Sequence, residues 1–311
     1  MALAAAGAVR AAPFRSQVLT ADAESGLRPQ SLREGPLTAV LQHERRRDAD
    51  GLPVLQPLVV VRLDGLEVGR LRGAVKVGSH RPMALLQLAE LDPANPWPEV
   101  LLSSFSGGAH CCNDTRVLSS DASGQRWYTV ALGPFNGVVR AATDPLGQGR
   151  SLVVDVDNRF LYQFSSYAAS RPPLRLWRLS GQRFEDISHD SAFQPLHRSQ
   201  LAEMETWFAE AGAGGEPNGV LAGYVATKAL VGEAADGWRR MLRHYDRRSD
   251  WGLRLCADGL GSDGRCRGPE RQYATYPEAL RAFLRQTGYL PATGEPGAGA
   301  GAAAAAEGGA P

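Results

Sequence analysis

Lysine is almost missing from this chain: Lys76 and Lys228 are the only two, and the other basic residues are arginines. Charge of one sign is missing too, because the formal net charge is only +1. No global field therefore draws the chain to nucleic acid or to an anionic membrane. Its basic runs, Glu44 to Asp48 and Asp246 to Asp250, are flanked by acids and read as solvated surface. No run approaches the roughly 18 apolar residues of a membrane helix, so no membrane span is expected. Aromatic residues make up 7% and are not interleaved with a basic patch in the way of single-strand binders, so no nucleic-acid partner is expected. The fingerprints G-x-S-x-G, H-E-x-x-H, the P-loop and the dinucleotide glycine motif are absent. That removes the commonest motif-bearing enzyme classes and leaves catalysis an uncertain but disfavoured function.

What is present divides by hydrophobic period. From about residue 37 to 190 the pattern is β. The stretch Pro57 to Gly73 holds two strand-like runs joined at Asp64-Gly65, a strong hairpin turn. Further runs alternate with turn residues at Asp92-Pro93, Asp121 to Gly124, Asp157-Asn158 and Ser180-Gly181. In Arg159 to Tyr167 the residues Phe160, Tyr162 and Phe164 alternate with others, which predicts an aromatic row on one sheet face. From about 195 to 291 the period becomes helical. Leu201, Met204, Phe208 and Ala211 form one stripe, and Trp238, Met241, Leu242 and Tyr245 form another. Asn218 reads as the cap of a helix running through Tyr224 and Lys228, and Pro277 opens a last helix that Gly288 ends. The expected fold class is α+β, an antiparallel β-rich N-terminal part followed by a small helical C-terminal part. Residues 1–12, apolar and small, read as the remnant of a signal peptide, and residues 292–311 as a low-complexity disordered tail.

Four cysteines fall in two pairs. Cys256 and Cys266 bracket a loop rich in Gly, Asp and Ser, and a disulfide there is the natural staple of an exported protein. In that loop Asp258, Ser262 and Asp263 could offer calcium weak oxygen ligands, though a solvated turn accounts for them as well. The other pair lies in Ser104 to Thr115, where His110 precedes the adjacent Cys111 and Cys112 behind Gly107 and Gly108. In an extended segment His110 and Cys111 point to opposite faces, which opposes a base–nucleophile pair. His110 and Cys112 share a face and could hold a metal, but no C-x-x-C or H-x-x-x-H spacing supplies further ligands. Three readings stay open: a covalent or packed staple, a transition-metal site, and a thiol-handling site.

The stretches Leu88 to His110 and Val138 to Phe160 repeat a theme of apolar strand, Asp, short Pro/Gly/Asn loop and strand, with Asp92 and Asp144 in equivalent places. This resembles a degenerate FG-GAP or VCBS-type β-repeat, and it implies propeller-blade-like sheets. The family's acidic loop is reduced here: Ala94 and Pro96 follow Asp92, and Leu146 and Gln148 follow Asp144, so one carboxylate remains per loop. Calcium wants six to eight oxygens, and no cofactor is expected. Ser106 to Cys112, Asp157 to Pro173 and Ala222 to Trp238 are also similar to uncharacterised exported bacterial proteins. The reading that follows is a periplasmic or secreted, non-catalytic binding protein with an unknown protein or glycan partner. The alternatives are a periplasmic metal- or thiol-handling protein using His110, Cys111 and Cys112, and a hydrolase built on Asp155, Asp157 and His110. Asp92, Asp144, Asp155 and Asp157 are the remaining candidates for a polar site. Tyr224 and Lys228, four apart on a helix, could be a base and a proton donor, or simply a helix-surface or interface pair.

Overall fold

The computed structural model describes residues 14–21, 28–48, 50–75, 83–108, 111–137, 139–211, 215–259, 266 and 268–292, without the side chains of Cys111, Glu210 and Ala211. His110, the N-terminal segment read as a signal remnant and all but the start of the expected tail (residues 293–311) lie outside the described residues. So do Ser262 and Asp263 of the cysteine-bracketed loop. The chain divides into two compact units, one of residues 1–155 and 176–187, the other of residues 156–175 and 188–311.

The first unit is antiparallel β-structure. Strands β2 (Gln30–Glu34), β3 (Leu37–Arg47), β4 (Pro53–Leu63) and β5 (Leu66–Arg72) pair in sequence order as one sheet. At the β4–β5 turn Asp64 has φ 50° and Gly65 φ 81°, the positive dihedrals that a two-residue hairpin needs. A second sheet has the order β1-β6-β7-β8-β9, from β1 (Gln17–Ala21), β6 (Met83–Ala89), β7 (Glu99–Phe105), β8 (Cys111–Ser120) and β9 (Trp127–Asn136). Strand alternation sends Leu37, Ala39 and Leu41 of β3, Val59 and Val61 of β4, and Leu86, Leu88 and Leu102 of β6 and β7 into one shared core. The opposite face of the second sheet is apolar too. Leu85, Leu101, Val117 and Val130 gather with Val153 and Leu179 in another core, under a small sheet of β10 (Val153–Val156), β11 (Leu174–Ser180) and β12 (Arg183–Asp186). Burial on both faces explains why β6 and β7 read as near-continuous apolar runs.

The second unit is mostly helical, with α1 (Gln194–Ala211), α2 (Pro217–Leu230), α3 (Ala234–His244) and α4 (Tyr276–Gln286), and a ribbon of β13 (Arg254–Cys256) and β14 (Glu270–Gln272). Helix α2 is apolar or small on nearly every side, and it is the buried axis of this unit. Leu221, Val225, Met241, Leu280, Phe283 and Leu284 meet around it. Thr275 caps α4 by accepting the Glu278 N–H, and Pro277 sits in the first turn.

Two local expectations differ from the structure. The aromatic row is not a strand: Asn158–Phe160 is a 3-10 turn, and Phe160 and Phe164 are buried while Tyr162 is 48% exposed at φ 61°. The Asp157 side chain captures the Arg159 N–H and so bends the chain where alternation asked for extension. Asn218 is not a cap either. It lies inside α2, buried, and its amide donates to the Asp246 carbonyl and accepts from the Asp246 N–H, which clamps the segment after α3.

Candidate functional site

The four aspartates that the sequence singles out are engaged separately by their own surroundings. Asp92 Oδ2 accepts the Gly181 N–H at 2.7 Å and Oδ1 the Ala94 N–H at 3.2 Å. Asp144 accepts the N–H groups of Gln148 and Gly149. Each thus closes a loop with backbone donors where a calcium-binding loop would direct its oxygens at the ion. Asp155, on β10 in the first unit and 1% exposed, lies 3.6 Å from the Arg140 guanidinium. Asp157 belongs to the second unit, where Arg159 grips both oxygens and the Tyr289 hydroxyl donates to Oδ2 at 3.0 Å. Burial first, and then the Asp157 charge, push the Tyr289 phenol well above its ordinary pKa, so it stays a donor.

Around the adjacent cysteines the β7–β8 connection turns at Gly107, φ 94°, and Ser106 exchanges hydrogen bonds with the Cys112 backbone. Cys112 is disulfide-bonded. Cys256 and Cys266 form a disulfide, with Cα atoms 5.5 Å apart, between β13 and the approach to β14. Tyr224 and Lys228 are not a surface pair. The buried Tyr224 hydroxyl donates to Glu205 at 2.9 Å, and Lys228 Nζ meets Glu233 at 2.7 Å and Asp236 at 3.0 Å. Burial pulls the Lys228 ammonium down, but the bonds to Glu233 and Asp236 outweigh it and raise its pKa.

Sequence reasoning missed two features. The first is a knot of carboxylates at the end of β6. Glu99 is fully buried, and it accepts from the Leu91 and Asp92 N–H groups, the Asn95 amide and the Ser119 hydroxyl. Burial raises its pKa against those four donors. Its neighbour Glu90 has a buried Oε1 without a hydrogen-bond partner among the described residues. Burial, then the charges of Glu99 and Asp92, push the Glu90 carboxyl up to about 7, and Arg150 opposes them. Arg150 spends its hydrogen bonds on the carbonyls of Leu91 and Leu179. Nothing in the local sequence marks Glu90, because its partners arrive from β7 and from the segment before β10.

The second feature is a pair of open clefts on the helical unit, each lined by arginines and aromatic rings. One, about 750 Å³, lies between α1 and the end of α3, with Trp207, Phe208, Arg240, Arg243 and Arg248 on its walls. Arg240 stacks on Phe208 at 5.1 Å and Arg171 on Trp207 at 5.6 Å. The other, about 670 Å³, lies between α3, β14 and α4, with Trp238, Arg271, Tyr273, Arg281 and Arg285 on its walls. Here Arg281 lies over Trp238 at 4.8 Å and Arg271 over Tyr273 at 5.4 Å. Leu242, expected to face inward, stands at the rim of this cleft, 42% exposed. Of these arginines the sequence reading touched only the run from Asp246 to Asp250, whose flanking acids made it read as solvated surface. No described residues group three or more His, Cys, Asp or Glu side chains in a metal-binding arrangement.

Both clefts fall within the part of the chain that a known family covers. Residues 197–288 match the sll0997 C-terminal domain. The probable thylakoid lumen protein sll0997 of Synechocystis is 42% identical over 260 residues, 83% of this chain and 75% of that protein. The uncharacterized protein y4bJ of Sinorhizobium fredii is 32% identical over 228 residues, 71% of this chain, and the chain spans only 34% of its length. No solved structure matches. With that identity extending over most of both chains, the protein belongs to the sll0997 family.

Proposed function

We propose that this is a non-catalytic binding protein of an exported compartment, whose helical unit engages its partner through the arginine–aromatic clefts. The observation that carries the reading is the cleft between α3, β14 and α4, where the Arg281 guanidinium lies 4.8 Å from the centre of the Trp238 ring and the Arg271 guanidinium 5.4 Å from that of Tyr273. Arginine and aromatic side chains are the residues that anchor interfaces, because they offer large contact area at low entropy cost. Export is supported by the name of the Synechocystis relative, a probable thylakoid lumen protein, and by the Cys256–Cys266 disulfide. The β-repeat likeness belongs to the same reading: β2 to β5 and β6 to β9 are each four strands paired in sequence order, as in a propeller blade.

A photo-crosslinking residue at Leu242, compared with one at the exposed Leu66 of the first unit, tests the binding reading in living host cells. A discrete adduct from position 242 and none from position 66 is expected. No adduct from position 242 would overturn it. A second reading, thiol handling at Cys111 and Cys112, is favoured over metal binding by one observation, since the Cys112 sulfur is engaged in a disulfide and metal ligation needs a thiolate. Mass spectrometry of trapped thiols after incubation with a reduced dithiol protein separates it from a purely structural role.

A further inference from the structure

We infer that the cleft between α3, β14 and α4 docks an acidic peptide segment of a partner protein. This rests on the binding reading above and names the chemistry of the partner. The chain's near-neutral total hides a strong local imbalance: residues 234–292 hold eleven arginines against seven carboxylates, a net of +4. In the cleft itself the imbalance is sharper. Its carboxylate, Glu278, is already committed to the start of α4, where it accepts the Ala274 N–H. Arg271 and Arg281 make no ion pair among the described residues and rest on Tyr273 and Trp238 instead. A guanidinium held over a ring has less freedom left to lose on binding, and its planar fork of N–H groups suits a bidentate carboxylate.

The spread of these groups favours a chain over a single anion. Arg281 is carried by α4 and Arg271 by the middle of β14, so the two cations stand on different elements. Carboxylates spaced along an extended segment suit cations set on two elements. Beside the arginines the lining includes the apolar side chains of Leu242 and Pro277. The fitting ligand therefore alternates Asp or Glu with aliphatic side chains. The complete protein should bind a fluorescein-labelled peptide repeating Asp-Glu-Leu, and not the Asn-Gln-Leu counterpart, by fluorescence anisotropy. Affinity should fall about tenfold between roughly 50 and 200 mM salt. Arg271→Gln and Arg281→Gln should each weaken binding about threefold or more and the double variant about tenfold. Arg281→Lys, which keeps the charge and loses the planar guanidinium, should lie between. Arg183→Gln, an exposed arginine of the first unit, should change nothing.

Equal binding of the acidic and neutral peptides, or undiminished binding by a double variant with an unchanged circular dichroism spectrum, would overturn the proposal. So would tighter binding to phosphatidylglycerol vesicles or inorganic polyphosphate than to the peptide. If the peptide fails while the Leu242 crosslink still forms, the binding reading survives and the acidic-peptide assignment does not. If both fail, both are wrong.

Discussion

Glu90 is the residue whose chemistry departs furthest from what its neighbours in sequence foretell. An unfolded glutamate titrates near 4.5, and in the fold burial and the charges of Glu99 and Asp92 raise Glu90 to about 7. The folded state therefore holds a proton that the unfolded chain has released. Its contribution to stability is full below about 4.5 and is lost as pH rises through about 7. Histidines His43 and His197 act in the other direction. Burial lowers both, so they bind protons on unfolding and cost stability as pH falls below about 6.5. The raw pH profile is thus a sum of opposing slopes, and a difference curve isolates Glu90. Glu90→Gln keeps the shape and the uncharged state, so it should match the parent protein near pH 4 and melt at a higher temperature above about pH 7.5. Thermal unfolding followed across that range checks it, and parallel curves would show that Glu90 does not carry the linkage. Asp157, by contrast, was singled out from sequence for chemistry, and the structure ties it fully to Arg159 and Tyr289. The same letters in the strand could not reveal this, because the tyrosine comes from 132 positions further along the chain.

At the scale of elements, small residues decide how α2 sits in its unit. Gly219 and Gly223, one turn apart, let the helix backbone meet the segment around Ser165 and Arg171. A methyl group on Gly223 would overlap the Arg171 carbonyl oxygen, which is backbone and cannot move aside. On Gly219 it would overlap the Ser165 hydroxyl, which can rotate. Alanine is worth up to about 1 kcal/mol over glycine within a helix, and overpacking costs about 1–3 kcal/mol or more. Gly223→Ala should therefore destabilise by about 2 kcal/mol net and Gly219→Ala by less, in that order, as urea denaturation would show. The elements themselves were largely legible. Hairpin turns such as Asp64-Gly65 and the proline in the first turn of α4 are local signals, and local signals survive into the fold. What was not legible came from contacts that override the hydrophobic period, near or far in sequence. The strand expected through Phe160 to Phe164 yielded because one carboxylate captured a nearby N–H, and Leu242 faces outward because α3 needs only its Trp238 and Met241 side against α2 and α4.

For the whole molecule, the cysteines connect stability to compartment. The Cys256–Cys266 disulfide spans a sequence separation of ten, and it joins β13 to the segment that leads into β14. Around that closure the ribbon is short: Arg254 to Cys256 pair with Gln272 to Glu270, and Cys256 itself is 8% exposed. Tyr273 follows β14 directly and gives the acidic-peptide cleft one of its aromatic walls. Opening the disulfide therefore acts on binding as well as on stability. In the chain-entropy picture a loop of this length is worth about 2.5 kcal/mol, because the crosslink removes conformations from the unfolded chain. The double variant Cys256→Ser, Cys266→Ser should lower the unfolding free energy by about that amount and lose most of the response of the parent protein to dithiothreitol. It should also weaken the acidic peptide by a modest factor of about two to five, since the cleft wall is carried on the ribbon and not on a helix. A variant as stable as the parent would mean the ribbon is held by its packing on α4 alone. A variant that loses stability but keeps full affinity would place the working part of the cleft on Trp238, Arg281 and Arg285, with Arg271 and Tyr273 only adjacent.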